Sequence, residues 1–371
     1  MKSKECNYYL TMELNALIMA GGEGKRFWPL SKKSTPKQFL SLIGEKSLIR
    51  QTVDRILPII PIHRIYVVTG EIYAEQTLEH IPELPRENLI LEPYGRNTAP
   101  CIAYGTLKID KVNKDSVTIV LPADHVIGDD EEFRNALSFA STMANTKLDN
   151  NEYPLITLGV TPTCPETGYG YIKETDQSVA SNANYNAFKV HEFTEKPDLK
   201  TAISFINQGG YCWNSGIFIW KTSSILSAFA KIIPEWYDFF DEISNNLDQI
   251  SEKGAITAFF DSISGGSIDK IILEHSDNTV VIPINFPWSD VGSWYALDQY
   301  LRVNDRDNIA KGKVVSIDSS GCLVFGKEKL IALVGVEDLV IVESEDSILV
   351  LNKNKSQDVK KVLEEIDKIT K

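Results

Sequence analysis

The chain has 371 residues, a mass of 41.6 kDa, 43% hydrophobic residues and a formal net charge of −13, which leaves room for one large domain and a smaller one. The excess of acid argues against non-specific binding to nucleic acid or to an anionic membrane. No apolar run approaches the roughly 20 residues needed to cross a bilayer, and the opening stretch MKSKECNYYLTMELNA has no apolar segment of signal-peptide length, so a cytoplasmic location is expected.

Mean hydropathy of −0.14 is that of an ordinary globular chain. Cys6, Cys101, Cys164, Cys212 and Cys322 are scattered and show no metal-site spacing, so reduced, packed thiols are expected and a catalytic cysteine is disfavoured. An acidic chain that binds phosphate must use a local cluster of cations or a bound metal, because its overall field works against it.

Residues 1–13 are expected to form an N-terminal extension. Ala16-Leu17-Ile18-Met19-Ala20 then reads as a short buried strand. Gly21, Gly22 and Gly24 crowd together after it, which lets the backbone turn tightly and approach a ligand. Successive N–H groups in such a turn make a concavity suited to phosphate. Arg26 and Lys37 supply cations, and Leu48, Ile49, Val53, Ile56 and Leu57 mark one face of a helix. Strand, glycine loop and helix open a nucleotide-binding α/β unit. The glycines alone are weak evidence: they match neither the P-loop nor the dinucleotide fingerprint, and a turn that merely joins strand to helix explains them equally.

Strands are predicted at Arg64–Thr69 and Asn88–Leu91, separated by helix-length stretches, which implies a mostly parallel sheet covered on both faces. Asn97 or Thr98 can cap a helix carrying Ile102, Leu107 and Ile109, with Pro100 in its first turn. Val117–Leu121 is the next strand, and it ends in Pro122-Ala123-Asp124-His125. A carboxylate beyond the carboxyl end of a strand is placed to hold a metal; Asp124 can equally be a turn residue or a cap for the helix starting near Asp130. Leu155–Val160 is a further buried strand. Gly168 and Gly170 can bring backbone close to a ligand around Tyr171, and Pro197 stops the strand that carries Glu195 and Lys196. By itself a Glu-Lys neighbour pair is a solvated surface pair worth little. Asn214 lies in the run Cys212–Trp220, and its amide both donates and accepts. Residues 221–276 read as helices with no separate chemistry. Asp290, in PWSDVGSW, could be no more than the start of a helix.

Residues 14–304 therefore form the larger domain. Beyond it, over 305–371, short β-prone runs recur at Val314–Ile317, Cys322–Phe325, Leu330–Val334, Leu339–Val342 and Ile348–Leu351, and a helix with Val359, Val362, Leu363, Ile366 and Ile369 on one stripe closes the chain.

The string GGEGKRFWPLS followed by TPKQF resembles the signature of the sugar-1-phosphate nucleotidyltransferases, and WPLS with PKQF is similar to their mannose-1-phosphate guanylyltransferase branch. EPYGRNTAP, LPADH, FTEKP, the CWNSG run and WSDVGSW continue the resemblance in order, over about residues 14–355. It implies a Rossmann-like, doubly wound mixed sheet with a small C-terminal β-helix-like domain, in the form without an isomerase domain. It also implies transfer of GMP from GTP to mannose 1-phosphate, giving GDP-mannose and pyrophosphate. By the same resemblance Arg26, Lys37, Asp124 and Asp290 are catalytic, and Asp124 and Asp290 hold magnesium, with manganese able to substitute. The nucleotide falls to Ala20, Gly21, Gly22, Gly24, Arg26, Lys37, Glu92, Asn97, Thr98, Pro122 and Asp124. The sugar phosphate falls to Gly170, Tyr171, Glu195, Lys196 and Asn214. A homodimer is expected. The alternatives are a transferase for another sugar or base, which a panel of substrates separates, and a catalytically silent binding protein, which has no need of the full set of cations and carboxylates. One physical point favours the enzyme: a sugar phosphate with a second pKa near about 6 is already an anionic nucleophile at neutral pH, so no general base is required.

Overall fold

The computed structural model describes residues 13–22 and 24–369; apart from Glu13, the expected extension lies outside these. The buried apolar run forms β1 (Leu14–Met19), and α1 (Leu48–Ile56) buries Leu48, Ile49, Val53 and Ile56 completely. Between them the chain makes two 3-10 turns, Lys25–Phe27 and Lys37–Phe39. Next come β2 (Ile65–Gly70), α2 (Ala74–His80), β3 (Leu89–Glu92), α3 (Thr98–Val112) and β4 (Val117–Pro122). The two-residue β5 (Val126–Ile127) precedes α4 (Asp130–Ala144) and β6 (Leu155–Val160). A long hairpin follows, β7 (Tyr171–Ser181) with β8 (Asn186–Thr194), then α5 (Leu199–Gln208) and β9 (Tyr211–Lys221). The stretch without separate chemistry holds α6 (Thr222–Ile232), α7 (Pro234–Asn246), α8 (Glu252–Ser262) and α9 (Ile268–Ile271), ahead of β10 (Thr279–Ile284). The rest is β11 (Trp288–Ser289), α10 (Trp294–Leu301), β12 (Ile309–Lys311), β13 (Val314–Ile317), β14 (Leu323–Phe325), β15 (Ile331–Val334), β16 (Leu339–Glu343), β17 (Ile348–Asn352) and α11 (Val359–Ile369). Among these helices none is long and apolar enough to cross a membrane.

Helix starts follow capping chemistry. Asn97, Asp129, Asp198, Ser267 and Ser293 cap α3, α4, α5, α9 and α10 through their side chains, and Pro234 sits in the first turn of α7.

The chain divides into two compact units. One takes the chain through Gly21, Val53–Ala123 and Asp129–Phe286; the other takes Gly22–Thr52, Asp124–Gly128 and everything from Pro287. The first unit is built on a nine-stranded sheet of order β3-β2-β1-β4-β9-β6-β10-β8-β7. β3, β2, β1 and β4 are parallel neighbours, as are β6 and β10. The expectation of a mostly parallel sheet is corrected on its other half: β9 runs antiparallel to β4, β6 and β7, and β8 antiparallel to β10 and β7. The hairpin accounts for β7 and β8, since a tight return needs an antiparallel partner whereas parallel neighbours need a long crossover; the direction of β9 is set by its long-range pairing with β4 and β6. Helices α3 and α6–α9 bury one face of the sheet, with Leu17, Val68, Val120, Phe218 and Trp220 meeting Phe229, Trp236, Phe240 and Phe259.

In the second unit, successive strands alternate between two small sheets. β12, β14 and β16 are parallel neighbours in one and β13 and β15 in the other, while β17 closes the first antiparallel. This coil of short rungs matches the β-helix-like expectation. Its core joins Phe27, Leu42, Leu48, Val126, Trp294, Phe325 and Val342. Trp294 is completely buried with ring centroids 4.8 Å from Phe27 and 5.3 Å from Phe325. Trp294→Ala should therefore cost about 3–5 kcal/mol. Urea unfolding followed by near-ultraviolet circular dichroism checks this, and an unchanged midpoint would show that the ring does not hold the unit together.

Candidate active site

Four charged side chains converge in the second unit. Gly24 makes this possible: its φ is 61°, and a Cβ there would lie 2.3 Å from Lys37 Cβ, so only glycine lets the two backbone segments meet. Lys37 is 4% exposed. Its ammonium donates to Asp124 Oδ2 at 2.9 Å and to the Asp290 carbonyl oxygen at 2.5 Å, and it lies 5.8 Å from the centre of the Phe27 ring. Burial pushes the Asp124 carboxyl up, but the Lys37 ammonium, His125 and hydrogen bonds outweigh it, so the group titrates below its ordinary value. Arg26 Nη1 donates to the Gly292 carbonyl at 2.9 Å, and Gly292 N donates to Asp290 Oδ1 at 2.9 Å. A Cβ at Gly292 would come within 2.7 Å of Asp290 Oδ2 and 3.2 Å of Arg26 Nη1.

Two carboxylates and two cations thus share one locus. Among the described residues there is no cluster of three or more His, Cys, Asp or Glu side chains suited to a metal. Magnesium has no need of one: it takes one or two protein carboxylates and completes its octahedron with water and substrate phosphate. Asp124 and Asp290 fit that donor set.

In the first unit Ala20, Glu92 and Pro122 sit at carboxyl ends of strands. Ala20 follows β1, its N–H on the Val68 carbonyl and its own carbonyl accepting from Thr69 Oγ1. At Gly21 a Cβ would only touch Glu92 Oε2 at 3.5 Å, and at Gly22 of the second unit it would meet nothing within 4 Å. Neither glycine is demanded by the protein's own packing, so both leave room above the backbone. Pro122 ends β4 and Glu92 ends β3. Glu92 is 4% exposed, its Oε1 has no hydrogen-bond partner among the described residues, and burial raises its pKa to about 7.

Asn97 and Thr98 serve the framework. Asn97 Oδ1 accepts from Thr98 N, and Thr98 Oγ1 accepts from Ile268 N at 2.9 Å. The loop is further stitched to Gly266, whose N–H reaches the Arg96 carbonyl and whose carbonyl accepts from Ala99 N.

The residues expected to take the sugar phosphate lie on β7, β8 and β9. Gly170 accepts from Asn214 N, and a Cβ at Gly170 would sit 2.6 Å from Glu195 Oε2. Tyr171 is fully buried with its hydroxyl on the Glu166 carbonyl. Glu195 forms an ion pair with Lys196; the glutamate side chain is 9% exposed and the lysine 62%. Asn214 Oδ1 accepts from Thr157 Oγ1 at 3.1 Å and Gly216 N at 3.3 Å, while Nδ2 donates to Asp269 Oδ1 at 2.7 Å.

Asp269 escaped the reading of the sequence, as did Thr157 and Gly292. A lone Asp in a helical stretch carries no pattern, although the Gly265-Gly266 pair just before it, both at positive φ, marks a tight approach. Another signal lies outside sequence reasoning: Asn97, Lys196 and Val291 are non-glycine residues at positive φ, one in each of three motifs. Such strain collects at working sites.

Residues 15–306 match the Nucleotidyl transferase family, and residues 312–366 match the MannoseP isomerase/GMP-like beta-helix domain. The mannose-1-phosphate guanylyltransferase of Salmonella montevideo is 38% identical over 361 residues, which cover 95% of this chain and 74% of that one. The alginate biosynthesis protein AlgA of Pseudomonas fluorescens is 36% identical over 94% of this chain and 70% of its own. A solved structure described as mannose-1-phosphate geranyltransferase from Thermus thermophilus superposes with a TM-score of 0.85 and 30% identity, over 96% of this chain and all of that one.

The Glu92 carboxyl provides a test of the strand-end geometry without any ligand. Its pKa rises from the ordinary 4.5 to about 7 on folding. The folded chain therefore holds a proton that the unfolded chain has released, and stability falls as pH climbs between those values, by about 3 kcal/mol in all. Glu92→Gln removes this term, so its midpoint relative to the parent should rise between about pH 5 and about pH 8. A pH-independent difference in thermal midpoints would mean that the carboxyl is not desolvated.

Proposed function

Since the chain belongs to the nucleotidyl transferase family and, within it, to the mannose-1-phosphate guanylyltransferases, we propose that the residues gathered above carry the transfer of GMP from GTP to mannose 1-phosphate, giving GDP-mannose and pyrophosphate. An oxygen of the sugar phosphate attacks the α-phosphorus of GTP, the bond from that phosphorus to the β-phosphate bridge breaks, and pyrophosphate leaves with the electron pair. The nucleophile is already an anion at neutral pH. What the protein must supply is positioning and stabilisation of charge.

The observation that carries the reading is the buried Lys37 ammonium on Asp124 and Asp290, with Arg26 beside them on Gly292. Arg26 keeps guanidinium donors beyond the one spent on Gly292, and in this proposal they go to the triphosphate. Backbone N–H groups at Gly21, Gly22 and Gly24 hold its oxygens, and Ala20 and Pro122 at the ends of β1 and β4 contribute to the nucleotide's binding. Glu92, once ionised, accepts from the two adjacent N–H donors on the edge of guanine. Asn97 and Thr98 set the loop that follows. Glu195 receives hydroxyls of the hexose and Lys196 its phosphate, with Gly170 and Tyr171 contributing backbone and Asn214 an amide. Nucleotidyltransferases of this family generally use a divalent metal. Here it would be magnesium or manganese on Asp124 and Asp290, supplying Lewis-acid stabilisation of phosphate charge. A homodimer is part of the proposal, supported by the exposed Val315, Ile317 and Val334 on the two-stranded sheet of the second unit and Leu330 just before it.

Pyrophosphate release tests the reading. It should require GTP and mannose 1-phosphate together, and other nucleotides and hexose phosphates should be poor substitutes; equal rates across the panel would contradict the assignment of base and sugar. Arg26→Ala and Asp290→Asn should each lower turnover by roughly 2–4 kcal/mol of transition-state stabilisation. Lys37→Ala should do so too, and also leave Asp124 without its partner. Chelator should abolish turnover until magnesium or manganese returns. Activity within about threefold of the parent in all three variants would remove the phosphate-binding role. Light scattering at micromolar concentration should give a dimer, and a monomer would remove that part of the proposal.

A further inference from the structure

Asn214 has almost no hydrogen-bonding capacity left for a ligand. An amide offers two N–H donors and two acceptor sites. Both acceptor sites of Oδ1 are used by Thr157 Oγ1 and Gly216 N, and one N–H is spent on Asp269 Oδ1. Its carboxylate neighbour is the reverse case. Among the described residues, Asn214 Nδ2 is the one side-chain donor hydrogen-bonded to the Asp269 carboxylate, which leaves Oδ2 and the second lone pair of Oδ1 without a side-chain donor.

The surroundings of Asp269 make that arrangement costly for the empty protein. Burial and the nearby Glu195 carboxylate both push its pKa up, to about 6, against the pull of Asn214, its own backbone and Lys196. Two carboxylates within electrostatic reach of one another repel and cannot satisfy each other. A cluster arranged only for stability would place donors or apolar atoms there. A ligand with adjacent hydroxyl groups supplies what is missing, because each O–H donates to one carboxylate.

Asp269 is also held rigidly. The preceding residues are tied at Gly266 N to the Arg96 carbonyl, at Gly266 O to Ala99 N and at Ile268 N to Thr98 Oγ1, and Ser267 caps the short helix α9. A fixed acceptor pair discriminates between epimers, since a hydroxyl on the wrong side leaves a buried acceptor unpaired.

We propose that Asp269, with Glu195, binds hydroxyl groups of the hexose and sets which epimer is accepted, and that Asn214 acts chiefly as the positioning residue for Asp269. This rests on the assignment of the sugar phosphate to Glu195 and Lys196.

The test is steady-state kinetics of the full chain with magnesium. Mannose 1-phosphate and GTP are varied separately, glucose 1-phosphate serves as the competing epimer, and single-deoxy mannose 1-phosphates serve as probes. Asp269→Asn should raise KM for mannose 1-phosphate about 30-fold, leave KM for GTP within about twofold, and cut discrimination against glucose 1-phosphate by at least about tenfold. One deoxy analogue, poor for the parent, should lose nothing further in this variant, which identifies the hydroxyl that Asp269 receives. Asn214→Ala should show the same shift in discrimination in weaker form. Asp269→Glu keeps the charge but moves it by one methylene, so it should disturb discrimination as well; it carries the test if the Asn variant does not fold. Unchanged discrimination in Asp269→Asn while Glu195→Gln raises KM for mannose 1-phosphate would overturn the proposal alone. Unchanged KM for mannose 1-phosphate in Glu195→Gln would instead overturn the sugar subsite on which it rests.

Discussion

A lysine ammonium that is 4% exposed must be paired, because an unpartnered buried charge costs several kcal/mol. Lys37 is paired twice, to the Asp124 carboxylate and to the Asp290 backbone carbonyl. These contacts draw on all three chain segments of the second unit, Gly22–Thr52, Asp124–Gly128 and the stretch from Pro287. The β5–β11 pairing and the Phe27–Trp294 contact repeat the same junctions with backbone bonds and apolar surface. Gly24 and Gly292 lack the side chains that would displace the cluster from within its own segments: one would strike Lys37 and the other the Asp290 carboxylate. The chemical cluster and the fold of this unit are therefore one construction, and changing Lys37 acts on both.

The first unit solves a different problem. At Ala20, Glu92 and Pro122 it presents neutral and acidic groups at strand ends, held by backbone rather than by charge. Glu92 and Asp269 are carboxyls raised by burial to about 7 and about 6, poised to change charge state near neutrality. Left-handed backbone at Asn97 is tolerated because its capping bond and the loop at Gly265 to Ile268 over-determine the local path. Two cations meet in the second unit's cluster while the chain as a whole carries −13, a local arrangement of the kind an acidic chain needs if it is to bind a polyanion.

Much of this was legible in the sequence, for physical reasons that differ by region. Short apolar runs bounded by Gly or Pro placed β1, β4 and β6 to within a residue or two, because a strand buried on both faces needs an uninterrupted run. The helix at Thr98 was legible through its cap, and the C-terminal rungs through their regular spacing. The β7 strand was not, since Lys173 to Ser178 is polar and largely outside the core, so no periodicity marks it. The antiparallel insertion of β9 was hidden as well: direction is decided by long-range pairing, which local sequence does not encode. Within the site, Arg26, Lys37, Asp124 and Asp290 could be named from motifs, but not the direct bond between Lys37 and Asp124. Asp269 left no pattern of its own beyond the Gly265-Gly266 pair before it, because its significance comes from Asn214, 55 residues away in the chain.

Nucleophilic attack by the sugar phosphate at the α-phosphorus of GTP is the step at the centre of the proposed function. Mannose 1-phosphate carrying heavy oxygen on all its non-bridging phosphate positions, converted with unlabelled GTP and magnesium, tests it directly by mass spectrometry of both products. All of the label should be found in GDP-mannose, including the new bridge between the two phosphorus atoms, and none in pyrophosphate. Label in pyrophosphate, or GTP consumed without any labelled GDP-mannose, would contradict it.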